Sequence, residues 1–339
     1  MSSVPQSDPV MLPARSFGRV ARSVAAHGVI TGLIAGSPLL VFVPAAIFHC
    51  GIRNGRRAAW IAFAIAIALF AGQTSLVAME PKSANEAWMF FAGITLAVAL
   101  PALAAIPLVE RATSFGRTLL ALLSGAAIGL GATEMVLRSI RSFSSYAFIV
   151  ASAQQVLKQV LAMYQDPKTP LLAIRIVQMM FDARVQPAIA LAQIGLVFVL
   201  SLMMIGRLKA WREHVALRGN GEALGTYLFR NLVLPEWLLF AFLFGGITPL
   251  TKGLLQTIAA NVLIVVVCLY ILQGLAIFRS LLLAIGVGPA GTILGWMLLV
   301  FALASMVGWL LLAVAGLFDP FFHFRHFKRK DDSHESHTD

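Results

Sequence analysis

The sequence predicts an all-α fold, a polytopic transmembrane helical bundle of about eight spans. Three observations carry that prediction. The 339 residues are 59% hydrophobic and only 12% charged, about half the charged fraction of an ordinary soluble domain. Mean hydropathy is +0.85. Several apolar runs are each long enough to cross a hydrocarbon layer of roughly 30 Å. In lipid, free backbone groups find no partner, so runs of this kind must be helices.

The elements follow in order. Residues 1–26 are polar and basic, with Arg15, Arg19 and Arg22. They read as a flexible start and a short interfacial helix. The run from Gly28 to Phe48 is too long for the core of a cleaved signal peptide. The predicted spans are about 28–49, 58–78, 87–108, 117–137, 187–206, 233–250, 257–278 and 293–317. Each holds about 18–25 mostly apolar residues, as a tilted helix needs. Between the fourth and fifth, residues 146–184 predict two amphipathic helices too polar to span, separated by "DPKTP". They lie flat on the membrane, cover the bundle mouth, or form a lid or docking surface. Residues 328–339 read as a polar, disordered tail.

The net charge of +11 raises nucleic acid as a partner. The Lys and Arg residues sit at helix ends and in short loops, where membrane proteins place them. The expected partners are therefore the bilayer and its anionic headgroups, and no nucleic acid. The basic "RHFKRK" places the C-terminus in the cytoplasm by the positive-inside rule, and eight spans bring the N-terminus there too. "GIRNGRRAAW" and "GRLKAWREHVALRG" then fall on the outside, against the rule.

Polar groups inside such a bundle are few, so each is a candidate. Glu134 lies four residues before Arg138, on one helix face. Glu236 opens "LPEWLLF", as a helix-start carboxylate or a lining group. Gln273 lies well inside the seventh span, where a buried amide needs a partner. Asn261, twelve residues earlier, falls about a third of a turn away on the wheel, so the two define one sector. Glu134, Glu236, Asn261 and Gln273 are the expected substrate-lining residues. Glu110 and Arg111 are expected to be solvated. Gly28, Gly32 and Gly36 form a stripe that admits a close helix, from this bundle or from a membrane partner. No HExxH, GxSxG, Walker loop or Cys/His cluster occurs. No enzyme activity, cofactor or metal is expected.

Four segments occur in order: "IFHCGIRNGRRAAW", "LPEWLLFAF", "YILQGLAIF" and "AGLFDPFFHFRHF". Together they resemble the YybS-like family of bacterial polytopic membrane proteins, over about residues 28–327. That family is grouped by fold with the substrate-binding S components of energy-coupling-factor transporters. The resemblance implies an S-component-like bundle in the bacterial cytoplasmic membrane, acting as a small-molecule transporter or substrate-binding subunit. A non-transporting scaffold is the alternative. The C-terminal pattern resembles "GLLDxWFDFRK". Gly316, Leu317, Asp319, Phe322, Phe324 and Arg325 match it. His323 replaces the usual acidic residue and Phe321 the common Trp, so a second carboxylate is missing. The pattern implies an Asp319–Arg325 pair that folds the tail back. The residues alone give an interfacial exit, with Asp319 and Pro320 breaking the helix.

Overall fold

The computed structural model describes residues 17–35, 37–77, 82–163, 178, 181–217, 224–286, 288–303, 305–322 and 324. Its helices, in chain order, are α1 (Phe17–Ala35), α2 (Val43–Asn54), α3 (Arg56–Val77), α4 (Lys82–Glu110), α5 (Phe115–Arg141) and α6 (Ser145–Met163). Then come α7 (Gln186–Arg207), α8 (Lys209–Leu217), α9 (Leu238–Gly246), α10 (Gly253–Ala284), α11 (Pro289–Leu303) and α12 (Met306–Phe322). No strand occurs among the described residues.

Among the described residues five helices are long and apolar enough to cross a membrane: α3, α4, α5, α7 with its short lead-in, and α10. A sixth crossing is possible if α11 and α12 count together, although they meet at 111°. Three predicted spans are therefore drawn differently. The stretch 293–317 is a bent pair. The stretch 233–250 holds a nine-residue helix, α9, whose rise of about 14 Å is half the hydrocarbon thickness. The stretch 28–49 is not one helix but two.

That last difference sets the topology. Ser37 precedes a proline, which disfavours helical backbone at the residue before it. Ser37 is accordingly extended, at φ −126° and ψ 167°, and its hydroxyl oxygen accepts from the Leu39 N–H. A 3-10 turn over Pro38–Phe42 follows, and Pro44 starts α2. The chain thus reverses. His27 meets His49 at 2.9 Å and Ser23 meets Asn54 at 3.1 Å, so α1 and α2 are an antiparallel hairpin.

The hairpin packs through glycine. A Cβ on Gly28 would lie 2.7 Å from the Ala62 carbonyl oxygen, and one on Gly32 would lie 3.1 Å from that of Ala66. The stripe is closed by α3, within the bundle. Gly36 lies outside the described residues. At the other end of the chain α12 runs antiparallel to α10, with Gly274 against Leu312 and Gly316 against Tyr270. At both glycines a side chain would enter a neighbouring backbone.

The core lies where α4, α5 and α7 meet. Val98, Ala102, Leu103 and Ile106 pack there with Leu119, Leu122, Phe198 and Leu202, all buried. The outside is apolar as well: Ile128, Met135 and Phe240 are each more than 70% exposed. A water-soluble surface would not carry them, but a lipid-facing one requires them.

Loop contacts define a basic face. Arg56, at the start of α3, pairs with Glu110, at the end of α4, at 2.8 Å. His214 of α8 lies 3.3 Å from the Glu110 carbonyl oxygen. Glu110 is thus half-buried and paired with Arg56, which corrects its expected solvation. The two basic segments that broke the positive-inside rule meet on one face. Because α1 and α2 form a hairpin, the start of α1, with Arg19 and Arg22, reaches that same end.

Candidate functional site

The four expected lining residues do not converge. Glu134, Asn261 and Gln273 each tie two chain segments together. Glu134 pairs with Arg138 at 2.7 Å, as its spacing predicts. It also accepts from the Ser144 hydroxyl at 2.6 Å and from the Tyr146 N–H at 3.2 Å. It therefore satisfies a free backbone donor in the first turn of α6. Glu236 is exposed in the turn before α9. Asn261 donates to the carbonyl oxygens of Arg184 at 2.7 Å and Thr257 at 2.8 Å, and accepts from the Ala188 N–H at 2.9 Å. It joins α10 to the start of α7. Gln273 is fully buried. Its oxygen accepts from the Leu234 N–H at 3.0 Å, and its NH2 donates to the Asp319 carboxylate at 3.0 Å. The sector expected from Asn261 and Gln273 does not form, because the two bind different segments.

Asp319 is buried at 5% exposure, and α12 continues through Pro320 to Phe322. The expected helix break and interfacial exit at Asp319 are corrected: the carboxylate points inward to α10. Arg325, its implied partner, lies outside the described residues, as do the second amphipathic stretch over 164–177 and the tail. The Phe322 and Phe324 rings meet tilted, their centres 5.6 Å apart.

A different group of residues does converge. At the basic end, Arg207 of α7, Arg230 of the loop before α9 and Arg279 of α10 line one cleft of about 200 Å³. Met203, Tyr227, Leu228, Phe229 and Leu283 also line it, and no carboxylate is among the described lining residues. None of the three arginines was among the residues expected from the sequence to line a site. The signal that pointed here was the crowd of basic residues on the wrong side of an eight-span topology.

Local structure explains how the loop presents Arg230. Asn231 donates from its side chain to the Gly225 carbonyl at 2.7 Å and from its backbone to that of Leu228 at 2.8 Å. These bonds close a 3-10 turn over Phe229–Asn231. Tyr227 anchors the turn. It is wholly buried, 5.1 Å from the Trp211 ring and 5.9 Å, edge-on, from Phe115. Its hydroxyl lies 3.4 Å from that of Thr118. Burial pushes the Tyr227 phenol up to about 12, and the Thr118 contact offsets only part of that.

A second cleft, of about 170 Å³, lies among α1, α2, α3 and α4 and is lined by Thr31, Val43, Phe63, Phe70, Thr95 and their apolar neighbours. The Thr95 hydroxyl donates to the Ala35 carbonyl at 3.0 Å. Among the described residues no three His, Cys, Asp or Glu side chains are grouped to hold a metal ion.

The geometry defines the class of a multi-pass helical membrane protein with a cationic cleft at one end. The chain matches no protein-family model, no curated protein and no solved structure.

Proposed function

We propose that this chain belongs to the small-molecule carrier class, as a transporter or substrate-binding transporter subunit, with its ligand seat in the arginine-lined cleft. One observation supports the reading: guanidinium groups from three separate segments, those of Arg207, Arg230 and Arg279, line one cavity. Like charges brought together repel one another, and a bound anion relieves that repulsion. The YybS-like resemblance implies the same class.

The basic face is assigned to the cytoplasm of a bacterial inner membrane by the positive-inside rule. The scaffold alternative loses one of its supports, because Gly28 and Gly32 are occupied by α3.

The test is native mass spectrometry of the protein purified in a mild detergent. The expected result is a small molecule held one-to-one and lost on Arg279→Gln. Absence of any small molecule, with a protein co-purifying instead, would overturn the carrier reading in favour of a scaffold.

A further inference from the structure

We infer that His27 and His49 form an acid-opened latch between α1 and α2. The pair holds one proton with its hydrogen bond intact and loses that bond on binding a second. The latch does not depend on what the arginine cleft binds.

Hydrogen-bond geometry assigns the protons. His27 Nδ1 lies 2.6 Å from the Ser23 carbonyl oxygen. A carbonyl only accepts, so Nδ1 carries a hydrogen. In a neutral ring the other nitrogen, Nε2, is then a bare acceptor. It lies 2.9 Å from His49 Nδ1, which therefore donates. His49 Nε2 is left bare.

The first proton goes to His49 Nε2. The Nδ1–H donor facing His27 is then charged, and the bond strengthens. For a second proton only His27 Nε2 remains. There it sets two N–H groups head to head across 2.9 Å. It also creates two cations whose ring centres are 5.0 Å apart. The hydrogen bond is lost and the charges repel, the more so because both rings are half-buried.

The surroundings disfavour the second charge as well. Around the pair the packed elements carry cations at this end: Arg19 and Arg22 on α1, Arg53 on α2, Arg57 on α3 and Arg207 on α7. The carboxylates among the described residues there, Glu110 of α4 and Glu213 of α8, are paired with Arg56 and Lys209. His214 of α8 faces the Glu110 carbonyl, and burial keeps the Cys50 thiol neutral by pushing it up. His49 lies outside the five spans. Burial, then His27, then Arg53 lower it from the ordinary histidine value. A base lowered in this way contributes stability that is fully present above about pH 6.5 and is lost as the pH falls below it. Acid thus loosens the seam that His27–His49 and Ser23–Asn54 close.

The test uses the full-length protein in dodecyl maltoside and two isosteric variants. In His27→Gln the amide oxygen stands at Nε2 and accepts from His49. In His49→Asn the amide NH2 stands at Nδ1 and donates to His27. Each keeps the bond and removes one titrating ring. Hydrogen exchange of peptides from residues 17–35 is read by mass spectrometry at about pH 8 and about pH 5. Native protein and variants are compared at the same pH, which cancels the intrinsic pH dependence of exchange. The expected result is equal exchange at the higher pH and several-fold faster exchange of the native α1 at the lower. Equal exchange of all three proteins at the lower pH would overturn the latch. Should the variants fold poorly, nitrogen-15 NMR of the histidine-labelled native protein decides. Both rings should carry hydrogen on Nδ1 at the higher pH, and acid should add one proton well before the other. Two rings that titrate independently, or a hydrogen on Nε2 of either ring at the higher pH, would overturn it equally.

Discussion

Gln273 donates a 3.0 Å hydrogen bond to Asp319, a residue 46 positions later, inside the core. The same amide accepts from the Leu234 backbone. One side chain thus joins α10, α12 and the segment before α9. Gln273→Leu removes both bonds: the buried Leu234 N–H loses its acceptor and the Asp319 carboxylate loses one of its hydrogen bonds. A buried donor left without an acceptor costs about 1–3 kcal/mol. The expected outcome is a clear fall in the unfolding midpoint in detergent, with the ligand-to-protein ratio in the folded fraction unchanged. A ligand lost from protein of unchanged stability would return Gln273 to the lining.

Gly316→Leu tests the seam between α10 and α12. A side chain at Gly316 would enter the Tyr270 backbone carbonyl, and backbone has no rotamer to give. Helix association in lipid depends on this kind of close packing. The helices must separate, at a cost of about 1–3 kcal/mol or more. The expected readout is a lower melting temperature and faster proteolysis near the C-terminus. Gly131→Leu serves as the control, since open space surrounds that position in α5.

Some of this structure was legible in the sequence because it is local. Glu134 and Arg138 meet as their i,i+4 spacing requires, and α3, α4, α5, α7 and α10 sit where the apolar runs lie. What the runs concealed is whether 20 apolar residues make one helix or two. Hydropathy does not register the turn at Ser37 and Pro38, although the prolines that cause it were in view. Pairing of Gln273 with Leu234 and Asp319 depends on long-range packing that no spacing rule reaches. The arginine cleft was hidden for the same reason: its three members are far apart in the chain and each reads alone as an interfacial cation.

Tyr227 makes a pH prediction. Its phenol is pushed from about 10 to about 12 by burial, so the folded state holds the proton more tightly than the unfolded chain. That advantage is fully present below pH 10 and is lost as the pH rises from 10 towards 12. Two pH units correspond to about 2.7 kcal/mol. The unfolding midpoint should therefore fall with pH across that window. Tyr227→Phe should be less sensitive there, since it removes the phenol and keeps the ring contacts with Trp211 and Phe115. Parallel pH slopes in the two proteins would show that the phenol ionises without cost to the fold.

The α1–α2 hairpin makes the sharpest topological prediction. If residues 28–49 crossed the membrane as one helix, Gly18 and Arg57 would lie on opposite sides. In the hairpin they lie on the same side, because Ser23 meets Asn54. Both positions are exposed. Gly18→Cys and Arg57→Cys, each made in a background with Cys50→Ala and Cys268→Ala, can be treated in whole cells with a membrane-impermeant maleimide. Both should be protected until the cells are permeabilised, because the basic face is expected in the cytoplasm. Labelling of both in intact cells would keep the hairpin and invert the orientation. Labelling of one alone would sink the hairpin, restore the long first span, and again split the basic residues between the two faces.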